Sequence, residues 1–431
     1  MSERVRIINE EDLGKLKEGD NAGPMVIVAN QPEIVSRRLK SSHPINLYVV
    51  KRGDEKRLSV LIAQLRVRRV NPVPITEDNA LTRREFLMGR LSKVKLVNAP
   101  VVFSESCIAR YGCTRCVDSC PSGALTIKDK SVNVNPSKCI ECGVCVSECP
   151  TGALAMAGAD DVEYTVAINE ASRAGFRRLR FTCIYDESPS SGDEFTYKLP
   201  CIASVGPEWL TMALTLFNEV SITCPNESCK LKGLDKVKGL IDNLAKVINV
   251  EVNGLTIKVP KEPENHPTYV GLRRSDYSNA LKAMKHISKG EVAQGLKIFN
   301  VKIDNDKCSF CGVCFAKCPL KAFDVDNTQG LPTLKFNPLK CVGCGYCMNA
   351  CPEKAMNIEP GVINDEWVVK VKDEVVRCRM CGKPFDTLRH IKATKARLGI
   401  KGDPEWLYLC PDCRRYYTAK QMLKANLKPL N

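Results

Sequence analysis

Eight cysteines between Cys308 and Cys351 fall at one spacing used twice, Cys308-x2-Cys311-x2-Cys314-x3-Cys318-Pro and Cys341-x2-Cys344-x2-Cys347-x3-Cys351-Pro. Nothing else in the 431-residue chain restricts its folding as much, because thiols at this density must either pair or share metal. Twenty-four cysteines accompany only four histidines, His43, His266, His286 and His390, so any metal chemistry is mostly thiolate. The first twenty residues are charged throughout and lack the apolar core of an export signal, so a cytoplasmic chain is expected. In that compartment close Cys-x2-Cys pairs favour metal ligation over disulfides.

The doubled run resembles the bacterial two-cluster ferredoxin, in which the fourth cysteine of each run ligates the cluster of the other. The resemblance implies two [4Fe-4S] clusters, one held by Cys308, Cys311, Cys314 and Cys351 and its neighbour by Cys341, Cys344, Cys347 and Cys318. The spacing suits that chemistry. A loop with two residues between cysteines curls around three corners of a cube, and the proline-marked cysteine opens a short helix toward the other cube.

An earlier module repeats the pattern with one departure. It reads Cys107-x5-Cys113-x2-Cys116-x3-Cys120-Pro, then Cys139-x2-Cys142-x2-Cys145-x3-Cys149-Pro, with Arg110 where a cysteine is due. By analogy the sets are Cys107, Cys113, Cys116 and Cys149, and Cys139, Cys142, Cys145 and Cys120. Two outcomes stand open at Cys107: it reaches across the enlarged loop, or three cysteines leave a [3Fe-4S] site or a labile iron.

Between and around these modules the pattern is α/β. Residues 1–100 carry short apolar runs (MVIVA, INLYVVKRG) alternating with helical stretches (PEIVSRRLKSS, LSVLIAQLRVRR), and end in an Arg83-Arg84 helix. Residues 101–160 form the first dicluster module and 161–262 a second α/β domain with strands at RLRFTCIYD, VSITC and VEVNGLTIKVP and helices at WLTMALTLFNE and LDKVKGLIDNLAKVIN. Residues 263–300 are a linker and a helix after Arg273-Arg274, 301–360 the second dicluster module and 361–431 a zinc ribbon. The expected fold is multidomain α/β and α+β, with small parallel α/β domains alternating with two ferredoxin-like modules, plus the ribbon. The repeated order of α/β domain, Arg-Arg helix and eight cysteines suggests an internal duplication.

The second α/β domain places Cys183, Cys201, Cys224 and Cys229 near strand ends, where parallel sheets bind ligands. Its RFTCIYD, LPC and EWLTMALTLF segments, with a Cys-x4-Cys end, resemble the small iron-sulfur subunit linking hydrogenase to heterodisulfide reductase. That resemblance implies a [2Fe-2S] cluster on the four cysteines. This chain departs from the family in its first motif, which holds only Cys183, followed by Asp186. Buried structural thiols are the alternative.

Cys378-x2-Cys381 and Cys410-x2-Cys413 offer two knuckles to one tetrahedral ion, Zn2+ or a rubredoxin-like iron. RRYYTAK after the last knuckle reads as a solvated face, His390 as a surface helix residue, and TRREFLMG at 82–89 as a helix rather than an export motif. There is no Gly-x-Gly-x-x-Gly after a strand, no P-loop and no His-Glu-x-x-His, so nucleotide, flavin and hydrolytic zinc chemistry lack support. The formal charge is +15, and four thiolate-bound [4Fe-4S] clusters, together about −8, would bring it to about +7.

These features point to a non-catalytic electron-transfer subunit of the polyferredoxin type, conducting single electrons within a hydrogenase, formate dehydrogenase, heterodisulfide reductase or complex I-like assembly. Its partners would be protein subunits met through the basic surface, with membranes touched only through those partners and no nucleic acid bound. Two alternatives stand beside this reading: an enzyme with its own open-iron cluster, and a redox-responsive nucleic-acid binder.

Overall fold

A computed structural model describes residues 5–9, 11–12, 24–30, 44–76, 94–186, 188, 190, 192–226, 229, 233–260, 267–328 and 331–426. The expected PEIVSRRLKSS helix, the Arg83-Arg84 helix, His43 and His266 lie outside these residues. The chain divides into two units, one of residues 1–298 and 360–363, the other of residues 299–359 and 364–431.

The first unit begins with three parallel strands, Arg6–Asn9, Met25–Ala29 and Leu47–Lys51, paired in that order. Met25, Val26, Ile27 and Ala29 are all buried, the near-continuous apolar run of a covered parallel strand. The helix Glu55–Arg66 starts at Asp54, whose side chain caps the Arg57 N–H, and buries Val60, Leu61 and Leu65.

A second sheet has the strand order Glu194–Leu199, Arg178–Cys183, Glu219–Thr223, Thr256–Lys258, Glu251–Asn253. The first three strands are parallel. The last two form an antiparallel hairpin joined antiparallel to Glu219–Thr223, so the sheet is mixed where a parallel one was expected. The tight Gly254 turn (φ +61°) sends VEVNGLTIKVP back on itself, which a parallel connection cannot do in so few residues. The helices Asp161–Arg173, Pro207–Leu214 and Gly233–Val247 accompany this sheet. Its core is aromatic: Tyr164 stacks on Trp209 at 4.1 Å, and Phe181 and Tyr197 meet Tyr164 at 5.9 and 5.3 Å. Alternation along Glu194–Leu199 buries Phe195, Tyr197 and Leu199.

The first eight-cysteine stretch lies in the same unit. Val101–Val102 pairs antiparallel with Leu154–Ala155, closing its ends, and the hairpin Leu125–Lys128/Ser131–Val134 lies between the two runs. Buried ion pairs fasten these parts together. Arg68 meets Glu163 with side chains 2% and 0% exposed, and also donates to Tyr48 Oη and Asn46 Oδ1. Arg273, opening the helix Arg273–Ala283, pairs with Asp161 at 2.7 Å and donates to the Val146 and Cys149 carbonyls.

The second unit repeats the dicluster layout. In both units the proline-marked cysteine ends a short helix (Val144–Glu148, Val313–Lys317, Tyr346–Ala350) instead of opening one as expected, because the following proline cannot continue it. Phe299–Ile303 pairs with Met356–Pro360, and the hairpin Phe323–Thr328/Leu331–Phe336 is extended by Val368–Lys372. Beyond it, the hairpin Val375–Arg377/Pro384–Thr387 carries the first C-terminal knuckle. The second knuckle opens a sixteen-residue helix, Pro411–Asn426. Between them, Leu388–Arg397 holds His390, whose Nδ1 lies 2.8 Å from Asp386 Oδ1. Among the described residues no helix is long and apolar enough to cross a membrane.

Candidate metal centres

In the second unit the thiols sort into crossed fours. Cys308, Cys311, Cys314 and Cys351 line one cavity; Cys318, Cys341, Cys344 and Cys347 line another. Burial pushes the Cys314 thiol up to about 12, and the neighbouring Cys308, Cys311 and Cys351 thiolates add to it. Burial does the same to Cys347, again to about 12, with Cys341 the strongest of its charged neighbours. Such groups cannot ionise together unless a cation joins them, which is the chemistry of a thiolate-bound iron cluster.

The first module is gathered in the same way, and the gathering includes Cys107. Burial raises the Cys116 thiol to about 12, followed by the charges of Cys149, Cys113 and Cys107. Cys145 is pushed up by burial and then by Cys142, Cys139, Cys116 and Cys120. Cys120 runs the other way: burial opposes it, but the Ser122 hydroxyl and the N–H groups of Ser122, Ala124 and Leu125 bring its thiol below the ordinary value.

Local backbone explains how the enlarged loop still delivers Cys107. In the three regular runs the residue before the second cysteine is left-handed: Glu141 (φ +60°), Phe310 (φ +55°) and Gly343 (φ +64°). In the irregular run the short 3-10 turn Ala109–Tyr111 takes up the extra residues, and Gly112 (φ +92°) restores that conformation before Cys113.

Backbone donors complete each site. Ala153 N–H donates to Cys149 Sγ at 3.2 Å, Ala322 to Cys318 at 3.3 Å and Ala355 to Cys351 at 3.4 Å. The small alanine four residues after each crossing cysteine lets the chain approach the sulfur.

The middle four cysteines converge at the carboxyl ends of the parallel strands. Cys183 ends Arg178–Cys183, Cys201 opens the turn Ile202–Ser204, Cys224 follows Glu219–Thr223, and Cys229 lies in the next loop. Burial raises Cys201 to about 11, with Cys229, Cys142 and Cys183 as its charged neighbours. Burial also raises Cys183, which feels Cys224 and Asp186. Asp186 is tied to the strand ends rather than free: Thr182 and Thr223 hydroxyls donate to Oδ2 at 2.5 and 2.9 Å, and the Ser188 N–H to Oδ1 at 2.9 Å. Burial opposes its ionisation, but those donors hold its carboxyl at about 2.

This site abuts the first dicluster module. Ser147 Oγ donates to the Ala203 carbonyl at 3.2 Å, and Lys236 Nζ reaches the same carbonyl at 2.9 Å. A Cβ on Gly143 would lie 2.6 Å from Ser204 Cβ. Lys297 and Glu208 form a buried pair beside them, with Lys297 also donating to the Ser147 carbonyl. Sequence reasoning missed Lys236, Lys297 and Glu208, because no local pattern marks a charged side chain whose partner lies far away in sequence.

At the C-terminus the Sγ atoms of Cys378, Cys381, Cys410 and Cys413 lie within 4.8 Å of one another, with Cys381 and Cys410 3.7 Å apart. A tetrahedral ion with bonds of about 2.3 Å needs edges of about 3.8 Å, so the four fit one ion. Burial opposes ionisation of Cys378, but N–H groups of Cys410, Cys381 and Met380 outweigh it and draw the thiol down to about 6.

A family model described as a 4Fe-4S dicluster domain matches residues 106–153, and a second of the same description matches 300–352. No curated protein matches the chain. The chain therefore carries two 4Fe-4S dicluster domains, the equipment of iron-sulfur electron transfer.

Proposed function

We propose that the chain is an electron-conducting subunit of a larger redox complex of the hydrogenase, formate dehydrogenase, heterodisulfide reductase or complex I-like kind. The observation that carries this reading is the crossed gathering of thiols within both matched domains. Four [4Fe-4S] clusters would be held by Cys107, Cys113, Cys116 and Cys149; by Cys139, Cys142, Cys145 and Cys120; by Cys308, Cys311, Cys314 and Cys351; and by Cys341, Cys344, Cys347 and Cys318. Clusters held there supply one-electron storage and release over a wide span of potentials.

The protein's own groups do the rest. Thiolates hold the iron, and the crossing cysteines bind each pair of sites into one folding unit. Alanine N–H groups donate to the sulfurs. The packed α/β framework around Cys116, Cys142, Cys145 and Cys149 excludes water. Cys183, Cys201, Cys224 and Cys229 form a fifth site, a [2Fe-2S] centre by the resemblance noted above, and its contact with the Cys142–Ser147 segment supports direct exchange with the first module. Cys378, Cys381, Cys410 and Cys413 hold a structural Zn2+. The basic surface docks an acidic partner subunit, which supplies the catalytic site.

The presence of Cys107 beside three other thiols favours a conducting cluster over an open-iron catalytic one. The test is reduction of the reconstituted protein with dithionite under EPR. Fast-relaxing iron-sulfur signals from both modules are expected, and a protein with no redox-active iron would sink the reading.

A further inference from the structure

Each of the four crossing cysteines is followed by proline and then by a residue that differs between the modules: Ser122 and Thr151 in the first, Leu320 and Glu353 in the second. In the first module both are hydroxyls beside the crossing sulfur, with Ser122 Oγ 3.7 Å from Cys120 Sγ and Thr151 Oγ1 3.7 Å from Cys149 Sγ. In the second, leucine offers no donor. Glu353 lines the cavity of Cys308, Cys311, Cys314 and Cys351, but its carboxylate pairs with Arg397. Backbone donation does not separate the modules, since the alanine N–H contact recurs in both.

Burial gives this difference a purpose. Cys116, Cys142, Cys145 and Cys149 are buried in the first module, whereas Cys341 alone is buried among the eight of the second. Adding an electron to a thiolate-bound cluster increases its negative charge, which water stabilises where it can reach. In the first module much of that water is excluded, so reduction there is disfavoured unless fixed dipoles replace it. A hydroxyl donating to a ligand sulfur is such a dipole, and it strengthens as the charge on the sulfur grows.

We propose that the Ser122 and Thr151 hydroxyls are potential-setting donors that keep the buried clusters of the first module reducible, a role with no counterpart at Leu320 and Glu353. The proposal rests on the reading that the eight cysteines of this module hold two clusters. Ser122 acts on the cluster of Cys120, Thr151 on that of Cys149, and the two effects are separate.

The experiment is an EPR-monitored redox titration of the full-length reconstituted protein, with dithionite as the electron source, on Ser122→Ala, Thr151→Val and the double variant. Each single variant is expected to lower the reduced-to-oxidised ratio of one cluster about tenfold at fixed ambient potential, equivalent to about 59 mV for one electron. The double variant should shift two components, with the remaining ones unmoved as an internal reference. Ser122→Thr and Thr151→Ser retain the hydroxyl and should retain the potentials. Glu353→Thr should raise the potential of one component of the second module. Iron content and signal amplitude equal to the parent, with all potentials unmoved, would overturn the proposal while leaving the cluster reading intact. A parent protein whose first module holds no iron would overturn both.

Discussion

At the scale of single residues, the thiols were legible in the sequence and the buried cations were not. Spacing marks fifteen of the sixteen proposed dicluster ligands, because three thiols of a cube come from one tight loop. Cys107 is the exception, because spacing says nothing about a loop that coils inward as Ala109–Gly112 does, bringing Cys107 near Cys116. Cys107→Ser is expected to lower the [4Fe-4S] iron of the reconstituted protein by about a quarter, or to convert one cluster to a three-iron form, read by iron analysis and EPR. Arg273 shows the opposite case. As half of an Arg-Arg pair it looked like a helix feature, yet its guanidinium is buried against Asp161 and two backbone carbonyls. Arg273→Met leaves a carboxylate buried without its partner, so a loss of about 3–5 kcal/mol is expected, visible as a lower unfolding midpoint. Asp161→Asn in the same chain should recover part of it.

Among elements, the second α/β domain follows the patterned runs, except that the helix read at WLTMALTLFNE ends at Leu214 and its last residue, Glu219, already belongs to the next strand. The strand Glu194–Leu199 carries no continuous β-rich run, only an alternation whose exposed face is polar, and VEVNGLTIKVP reads as one strand although the left-handed Gly254 folds it into a hairpin. Gly143 marks where two elements meet: it is left-handed (φ +66°) at the start of the helix Val144–Glu148 and faces Ser204. Gly143→Ala should cost about 1–3 kcal/mol in thermal or denaturant unfolding, and Ser204→Gly should relieve only the steric part. The C-terminal segment has a small core of Val376, Ile391 and Leu407, with Cys378, Leu409 and Cys410 at its side. If the four cysteines hold an ion as proposed, a core of that size relies on it, so chelation or Cys410→Ser should expose residues 375–426 to protease, whereas the parent with metal resists.

For the whole molecule, charge and connectivity carry the consequences. On the proposed reading, in which the basic surface docks an acidic partner, that docking is sensitive to ionic strength. Capture of an acidic partner should weaken several-fold between low salt and about 0.5 M, in a pull-down or by light scattering. Connectivity bears on the making of the protein. Arg273 is 124 residues beyond Cys149, yet its guanidinium closes the carbonyls at the end of the helix that presents Cys145. A ribosome that has released all eight cysteines of the first module has therefore not yet produced the residue that seats their last helix. On the proposed cluster reading, iron entering before Arg273 emerges would meet a site whose last helix is not yet seated.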